Sequence, residues 1–262
     1  MECATLFSGS SGNCIYVGTK KTKVLVDAGF SGKRIVQALQ EINIDIKEIQ
    51  ALLVTHEHMD HIKGLGVLSR RYNIPIYASP KTWQELNCIG KVAECNKREY
   101  EYGMEIGDLK IDFFKTYHDA VQPVGMVFYH RDCRIGIATD TGCITPGIKK
   151  ALSGAEAIIF EANHDEEMLI KGPYPFHLKK RIAGDKGHLS NRASGEALAE
   201  IITGRTQHVI LAHLSAVNNT PQIAYHSVRA VLKEEDKQIL NGVDLTVAPR
   251  FQAHEMIKIK RM

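Results

Sequence analysis

The feature that most constrains this chain is the ten-residue segment "THEHMDHIKG", which begins at Thr55 and directly follows an apolar run. That run, "IQALLV", is typical of a strand buried on both faces of a sheet. Side chains two residues apart share a face of an extended segment, so His56 and His58 are predicted to point the same way. Asp60 and His61 stand where a helix is predicted to begin. One loop therefore offers two pairs of ligands to two adjacent points.

The side chains of this segment favour a bound cation. Imidazole nitrogen and carboxylate oxygen together suit zinc, manganese or iron, and no thiolate is needed. The plainer alternative is a solvated polar loop with incidental histidines, which would be favoured for any single histidine. The H-x-H-x-D-H spacing immediately after an apolar strand is far more specific, and it predicts a metal site.

Further ligands are expected at the ends of later apolar strands, where the chain leaves the core. Three such ends carry a suitable side chain: His118 in "KTYHDA", Asp140 in "IGIATDTG" and His213 in "VILAHLS". Each of them alone could be a surface polar group. One loop cannot complete two metal sites, so these three residues and the upstream segment form a coherent ligand set.

Apolar strands alternate with amphipathic helices along the chain, in two comparable halves. This pattern predicts mixed β-sheets that pack together with helices outside. No linker rich in Pro, Gly or Ser separates the halves, so residues 1–262 are predicted to form one domain. A hydrophobic content of 44% and a charged content of 24% are those of a soluble globular protein. The net charge of +3 neither identifies nor excludes a nucleic-acid partner.

The N-terminus and the cysteines bear on the cellular compartment. The opening residues lack the basic and apolar regions of a secretory signal, and no apolar run approaches the ~20 residues of a membrane span. The six cysteines contain no C-x-x-C pair, and their spacings fit no zinc ribbon. We therefore expect a cytoplasmic protein with reduced thiols and no membrane partner.

A family resemblance rests on the order of these residues. Asp27, the segment from His56 to His61, His118, Asp140 and His213 resemble the motifs of the metallo-β-lactamase superfamily over nearly the whole chain. The segments "FSGSSGNCIYV", "EANHD", "GHLSN" and "AHLSAVNNTP" resemble its YycJ/WalJ (VicX)-like group of metal-dependent nucleases. The superfamily implies an α/β fold, a four-layer αββα sandwich with two mixed β-sheets and two divalent metal ions at one sheet edge. The group implies a 5′ to 3′ exonuclease that acts on DNA.

The resemblance divides the ligands between the two ions. Metal 1 takes His56, His58 and His118, metal 2 takes Asp60, His61 and His213, and Asp140 bridges them. Asp27 matches the superfamily's first motif, and it is expected to hold a ligand in its orientation from behind. The alternative for Asp27 is a plain turn-forming aspartate.

His188, in "GDKGHLSNRASG", is the second candidate catalytic residue beside Asp60. A bridging aspartate in place of the cysteine of the zinc β-lactamases resembles the phosphodiesterase and glyoxalase branches. In the phosphodiesterases a histidine of this region donates a proton to the leaving oxygen, which suits a poor leaving group. The alternative is a helix-capping segment in which His188 is incidental.

Several residues are candidates for binding substrate. They are the basic residues Lys179, Lys180, Arg181 and Lys186, the residues Ser10 and Asn13 of the Gly/Ser-rich segment, and Asn191. These features favour a dinuclear metal-dependent phosphodiester hydrolase, and the resemblance implies that it is a 5′ to 3′ DNA exonuclease that serves DNA repair. The alternatives are a small-molecule hydrolase, either a cyclic or short phosphodiesterase or a glyoxalase-like thioesterase, and a catalytically silent regulator. Glu161, Asn163 and His164 resemble the group but receive no role from the sequence.

Overall fold

The computed structural model describes residues 1–259, and they contain two seven-stranded β-sheets. The first sheet has the spatial order β14 (Ile257–Lys258), β1 (Glu2–Phe7), β2 (Cys14–Gly18), β3 (Lys23–Val26), β4 (Ala51–Leu53), β5 (Ile76–Ala78) and β6 (Lys97–Glu99). Its first three pairings are antiparallel and its last three are parallel.

The second sheet repeats this arrangement. Its spatial order is β7 (Gly103–Ile106), β8 (Leu109–Lys115), β9 (Val124–His130), β10 (Cys133–Ala138), β11 (Ala157–Glu161), β12 (His208–Ala212) and β13 (Asp244–Val247). Three antiparallel pairings are again followed by three parallel ones. The two comparable halves of the sequence are therefore two sheets of the same design.

Nine α-helices accompany the sheets within the described residues. They are α1 (Gly32–Glu41), α2 (Met59–Ile62), α3 (Leu65–Tyr72), α4 (Pro80–Glu85), α5 (Pro146–Leu152), α6 (Glu166–Lys171), α7 (Phe176–Ile182), α8 (Asn191–Ile201) and α9 (Pro221–Glu235). Local sequence explains their starts. Thr220, for example, accepts a hydrogen bond from the amide of Ile223 and is followed by a proline, whose fixed φ suits the first helical turn.

Three apolar cores separate four layers. Between the sheets, side chains such as Val24 of the first sheet and Phe128 of the second are fully buried. The outer face of the first sheet packs on α1 and α3 through residues such as Leu39. The outer face of the second sheet packs on α8 and α9 through residues such as Leu198. The predicted αββα sandwich with two mixed sheets is confirmed.

The extent of the domain stays a prediction, and residues 260–262 of the predicted 1–262 lie outside the described residues. None of the helices found between residues 1 and 259 combines the length and the apolar character needed to cross a bilayer. All six cysteines lie in this part of the chain, and each is a free thiol.

The helix predicted after the metal-ligand segment is in fact two helices, α2 and α3, divided at Gly64. A Cβ atom at Gly64 would lie 2.3 Å from the carbonyl oxygen of Phe30, so only glycine fits there. The amide of Gly64 donates to the carbonyl of Ala28 at 2.7 Å. This close contact fixes the segment that carries the histidines against the end of β3.

Three strand ends turn sharply at the same edge of the sandwich. Asp27 after β3, Asp140 after β10 and His213 after β12 have φ values of 60°, 57° and 57°. The left-handed backbone is uncommon for residues other than glycine, and aspartate tolerates it better than most. These turns direct three polar side chains to the edge where the two sheets meet.

Candidate metal centre

The predicted ligands converge at this edge, although they come from both sheets. The imidazole ring of His56 lies 4.7 Å from that of His58 and 4.1 Å from that of His61, between centroids. The loop that carries them is held by Gly29, where a Cβ atom would lie 1.7 Å from the carbonyl oxygen of Asp60. The sequence therefore builds the cluster by close backbone packing.

One group of donors consists of His56, His58 and His118, whose ligand atoms lie within 4.8 Å of one another. The Nε2 atom of His118 is 3.3 Å from Nδ1 of His58. Nδ1 of His118 lies 3.0 Å from the carbonyl oxygen of Gly187, which can only accept. Nδ1 of His118 therefore carries the proton, and its Nε2 atom keeps a lone pair that could bind a cation.

A second group consists of Asp60, His61 and His213. The Oδ2 atom of Asp60 lies 3.6 Å from Nε2 of His61 and 3.6 Å from Nε2 of His213. Burial disfavours the charged form of Asp60, but His61 and His213 outweigh that effect and lower the pKa of its carboxyl group. Asp60 is therefore ionised, and its carboxylate could bind a metal ion.

Asp140 lies between the two groups. Its Oδ2 atom is 3.4 Å from Nε2 of His61, and its Oδ1 atom is 3.4 Å from Nε2 of His213 and 3.8 Å from Nε2 of His118. One carboxylate thus faces donors from both groups, which is the position that a bridging ligand requires.

The donor set fits a pair of divalent ions. Three atoms of this donor set are buried and have no hydrogen-bond partner among residues 1–259: Nε2 of His56, Oδ2 of Asp140 and Nε2 of His213. Buried polar atoms without partners are costly, and a cation would satisfy all three. Nitrogen and carboxylate oxygen suit zinc, manganese or iron.

Asp27 stands behind His61, as expected of a residue that orients a ligand. Its Oδ2 atom accepts from Nδ1 of His61 at 2.7 Å and from the hydroxyl of Thr55 at 2.8 Å. Burial alone would lower the pKa of His61, but the carboxylates of Asp140 and Asp27 raise it to about 9. Thr55 Oγ1 in turn lies 2.9 Å from Nδ1 of His56, so Asp27 and Thr55 together set two ring orientations.

Glu161, which the sequence left without a role, contacts two histidines of this cluster. It ends β11, is fully buried, and its Oε1 atom lies 2.7 Å from Nδ1 of His188 and 3.1 Å from Nδ1 of His213. Its Oε2 atom accepts from the amides of Thr141 and Leu189. Burial opposes its charge, but His188 and His213 outweigh burial and lower the pKa of Glu161. A strand-end carboxylate was the available signal, the same one that marked Asp140.

Changing Glu161 to Gln is expected to weaken metal binding or activity by about 10- to 100-fold, the usual effect of losing an oriented partner behind a ligand. The neutral amide can accept at only one atom, and its NH₂ group would face the amides of Thr141 and Leu189. Metal titration and hydrolysis of DNA, the substrate that the family resemblance implies, would measure the loss. The matched exchange Glu235→Gln, on exposed surface of α9, should change neither quantity. Parental affinity and rate in Glu161→Gln would show that the carboxylate is dispensable.

His188 lies beside the centre and differs from the ligands in its contacts. Its ring centroid is 4.9 Å from that of His118 and 5.1 Å from that of His213. Its Nδ1 atom lies 2.7 Å from Oε1 of Glu161 and 3.8 Å from Oδ1 of Asp140, so this nitrogen faces the carboxylates of the centre. Asp140, Glu161, His188 and His213 also form a possible metal-binding group, but Glu161 already joins the two histidines by hydrogen bonds.

Asn163 and His164 support the turn that carries His213. The side-chain amide of Asn163 donates to the carbonyl of His213 at 2.8 Å, and its own carbonyl accepts from the amide of Ser215 at 2.7 Å. The carbonyl of His164 accepts from the amide of Asn191 at 2.8 Å, which joins this turn to the start of α8. Asn163 and His164 therefore contact the backbone around His213 and at the start of α8.

Asn13 borders the second donor group, whereas Ser10 is exposed nearby. The side-chain nitrogen Nδ2 of Asn13 lies 3.0 Å from Nε2 of His61. The Oδ1 atom of Asn13 accepts a hydrogen bond from the backbone amide of Gly9. Asn191 is 2% exposed, and its side chain exchanges hydrogen bonds with that of Asn219. A contact between Asn191 and substrate stays a prediction.

Of the four basic residues predicted to bind substrate, two already have partners within the protein. Arg181 is paired with Asp119, and Lys179 donates to the carbonyl of Ile170. Lys180 and Lys186 are exposed and pair with no acid between residues 1 and 259. Two of the four predicted basic contacts therefore remain available to an anion.

Two mixed sheets between helical layers, with histidines and carboxylates converging at their common edge, define a metal-dependent hydrolase of the αββα class. The chain belongs to the β-lactamase superfamily, because residues 22–214 match the family described as "Beta-lactamase superfamily domain". The predicted superfamily is thereby confirmed.

Individual relatives extend this likeness. Exodeoxyribonuclease YycJ of Bacillus anthracis is 43% identical over 238 residues, which cover 90% of each protein. Exodeoxyribonuclease WalJ of Streptococcus pneumoniae serotype 2 is 42% identical over 247 residues, which cover 92% of this chain and 91% of the relative. The metallo-beta-lactamase fold protein YhfI from Bacillus subtilis superposes with a TM-score of 0.70 at 16% identity, covering 97% of this chain and 100% of its own. The predicted YycJ/WalJ group is also confirmed.

Proposed function

We propose that this protein is a dinuclear metal-dependent phosphodiester hydrolase that degrades DNA from a 5′ end. The observation that carries the proposal is the convergence of two three-residue donor groups on the single carboxylate of Asp140. Similarity to proteins named exodeoxyribonucleases over about nine-tenths of the chain supports DNA as the substrate.

In this proposal, His56, His58 and His118 would hold metal 1, Asp60, His61 and His213 would hold metal 2, and Asp140 would contribute to both. When bound, a pair of divalent ions polarises the phosphate and lowers the pKa of a water nucleophile. The hydrogen bonds to Asp27, Glu161 and Gly187 keep the ligand rings in one tautomer, with their lone pairs turned inward.

The chain itself supplies the proton for the leaving group. Hydrolysis forms a bond from water oxygen to phosphorus and breaks the bond from phosphorus to the sugar oxygen, which must gain a proton. His188 is placed to donate that proton from Nε2, because Glu161 holds Nδ1. Glu161 faces this ring as a carboxylate, because His188 and His213 lower the pKa of Glu161 against the effect of burial.

Contacts to the rest of the substrate follow from the exposed polar groups around the centre. Lys180 and Lys186 attract phosphates, while Ser10 and Asn13 border metal 2. We place the enzyme in the cytoplasm, where thiols stay reduced, and its six free cysteines accord with that. DNA repair is the process that such an exonuclease would serve.

The small-molecule hydrolase and the silent regulator are not proposed. The identity to exodeoxyribonucleases extends over the whole fold and not only over the ligands. The complete donor set, with three buried atoms that lack partners, argues against a regulator that has lost its metals.

The test is to incubate metal-loaded protein with end-labelled single- and double-stranded DNA and RNA of one sequence. Release of nucleotides from the 5′ end of DNA, abolished by chelator and restored by zinc, manganese or iron, is expected. Degradation from the 3′ end, faster cleavage of RNA, or full activity in excess chelator would each contradict the proposal.

The free lysines lead to a prediction about salt. Lys180→Ala and Lys186→Ala should each flatten the dependence of log affinity on log salt concentration, by about 0.7 on single-stranded DNA and about 0.9 on duplex. Fluorescence anisotropy with a labelled oligonucleotide at several salt concentrations would measure this. Lys233→Ala, on the exposed surface of α9, is the matched control. Parental slopes in the first two variants would mean that these lysines contact no phosphate.

A further inference from the structure

A cavity of about 520 Å³ opens beside the metal centre and shares His118 with it. Its walls come from β8, from the segment between β8 and β9, and from the loop that carries Lys186. Pockets of this volume hold small ligands or a part of a larger one. Apart from His118, none of its lining residues belongs to the metal centre.

Aromatic rings form much of the wall. Tyr102 lines the cavity and is 85% exposed, and Phe113 and Tyr117 line it while half-buried. The ring of Phe113 is stacked on Tyr100, with centroids 3.7 Å apart and an interplanar angle of 6°, so its orientation is fixed. Exposed aromatic rings gathered at one cavity mark a binding surface. Every nucleobase has a flat face that stacks on such rings, whatever its sequence.

The rim of the cavity is positive. Lys81, Lys115 and Lys186 line it, and none of them forms an ion pair with an acid of residues 1–259. The Nζ atom of Lys115 lies 4.8 Å from the ring centroid of Tyr117. Glu101 is the single acid among the lining residues. Three cations over aromatic walls complement a nucleotide, whose base is flat and whose phosphates are anionic.

We propose that this cavity binds an unpaired nucleobase of the DNA strand, next to the phosphate that is cut. The inference rests on the proposed function and deepens it. Because His118 belongs to both sites, a base in the cavity places its own backbone at the metal centre. A base paired in a duplex cannot stack there, so the enzyme engages a single-stranded or frayed end.

A scan with abasic sites tests the cavity. Hydrolysis-resistant phosphorothioate oligodeoxynucleotides, each with one abasic position counted from the 5′ end, are titrated against the metal-loaded protein. Loss of one stacked base is expected to weaken binding by roughly 5- to 150-fold at one position near the end. Positions beyond the cavity should show little change.

Variants assign that effect to the rings. Tyr102→Ala and Tyr117→Leu should each weaken binding of intact DNA. Binding by these variants should no longer depend on the abasic position, since removing the ring and removing the base abolish the same stacking contact. Tyr117→Phe keeps a ring and should retain parental affinity. Tyr129→Leu, at the far end of the β8–β9 hairpin, is the matched control. Tyr102 is so exposed that its loss leaves the cores intact, which a thermal melt verifies.

The outcomes distinguish failure of the cavity proposal from failure of the proposed function. A flat abasic scan with a parent protein that still degrades DNA would overturn the cavity proposal alone. Abasic sensitivity that persists in both tyrosine variants would also overturn it. An RNA oligonucleotide that binds more tightly than DNA, with the same abasic position sensitive, would overturn the assignment to DNA. A parent that degrades no DNA would instead overturn the proposed function.

Discussion

The Asp140→Asn protein is expected to hold fewer than two divalent ions per chain and to hydrolyse DNA on the order of 10³ times more slowly than the parent. Asparagine has nearly the same shape and tolerates the left-handed backbone at this position, where φ is 57°. The fold should therefore survive. What changes is the charge, because one neutral oxygen replaces the two anionic oxygens that face His61, His118 and His213.

Elemental analysis of purified protein and hydrolysis of end-labelled DNA would measure both effects. Asp244→Asn makes the same chemical change on β13, with a side chain that is exposed, and should match the parent in both assays. Two ions and a parental rate in Asp140→Asn would remove Asp140 from the ligand set.

His188→Ala is expected to lower kcat by about 10²- to 10⁴-fold, the usual effect of losing a general acid. Both ions should remain bound, because the proton on Nδ1 of His188 is engaged by Glu161 and the ring is not counted among the ligands. DNA binding should be nearly parental. The loss should shrink on a nitrophenyl phosphodiester, since that leaving group departs without a proton.

Three results would revise the role of His188. Loss of metal would make it a ligand or the support of one. Equal loss of rate on DNA and on the nitrophenyl substrate would make its role electrostatic. His226→Ala, an exposed histidine on α9, is the matched control, and a similar loss there would point to a general defect.

The positions of the candidate ligands were predictable because each follows from a local rule. An apolar run ends, the chain leaves the sheet, and a histidine or aspartate stands at the exit. His118, Asp140 and His213 obey this rule singly, and His56 and His58 follow from the period of an extended chain. Parallel strands bring their exits to one edge, so the local rule had a three-dimensional consequence that the sequence pattern already implied.

The support of the ligands was less predictable, because it depends on contacts between distant residues. Glu161 bonds partners 27 and 52 residues away, and its place at a strand end does not indicate which residues it contacts. The same limit applies to Arg181, whose charge is paired with Asp119, 62 residues earlier in the chain. Asn191 reads as a polar residue at a helix start, yet its partner Asn219 buries it.

The left-handed turns at Asp27, Asp140 and His213 connect metal supply to the lifetime of the folded chain. Each such turn costs an ordinary residue roughly 1–2 kcal/mol, and the three occur together at one sheet edge. Divalent ions that bind the folded arrangement created by these turns would stabilise the native state by mass action. A chain made while metal is scarce would spend more time unfolded and would meet proteases more often. The abundance of the enzyme would then follow the availability of its ions without any dedicated sensor.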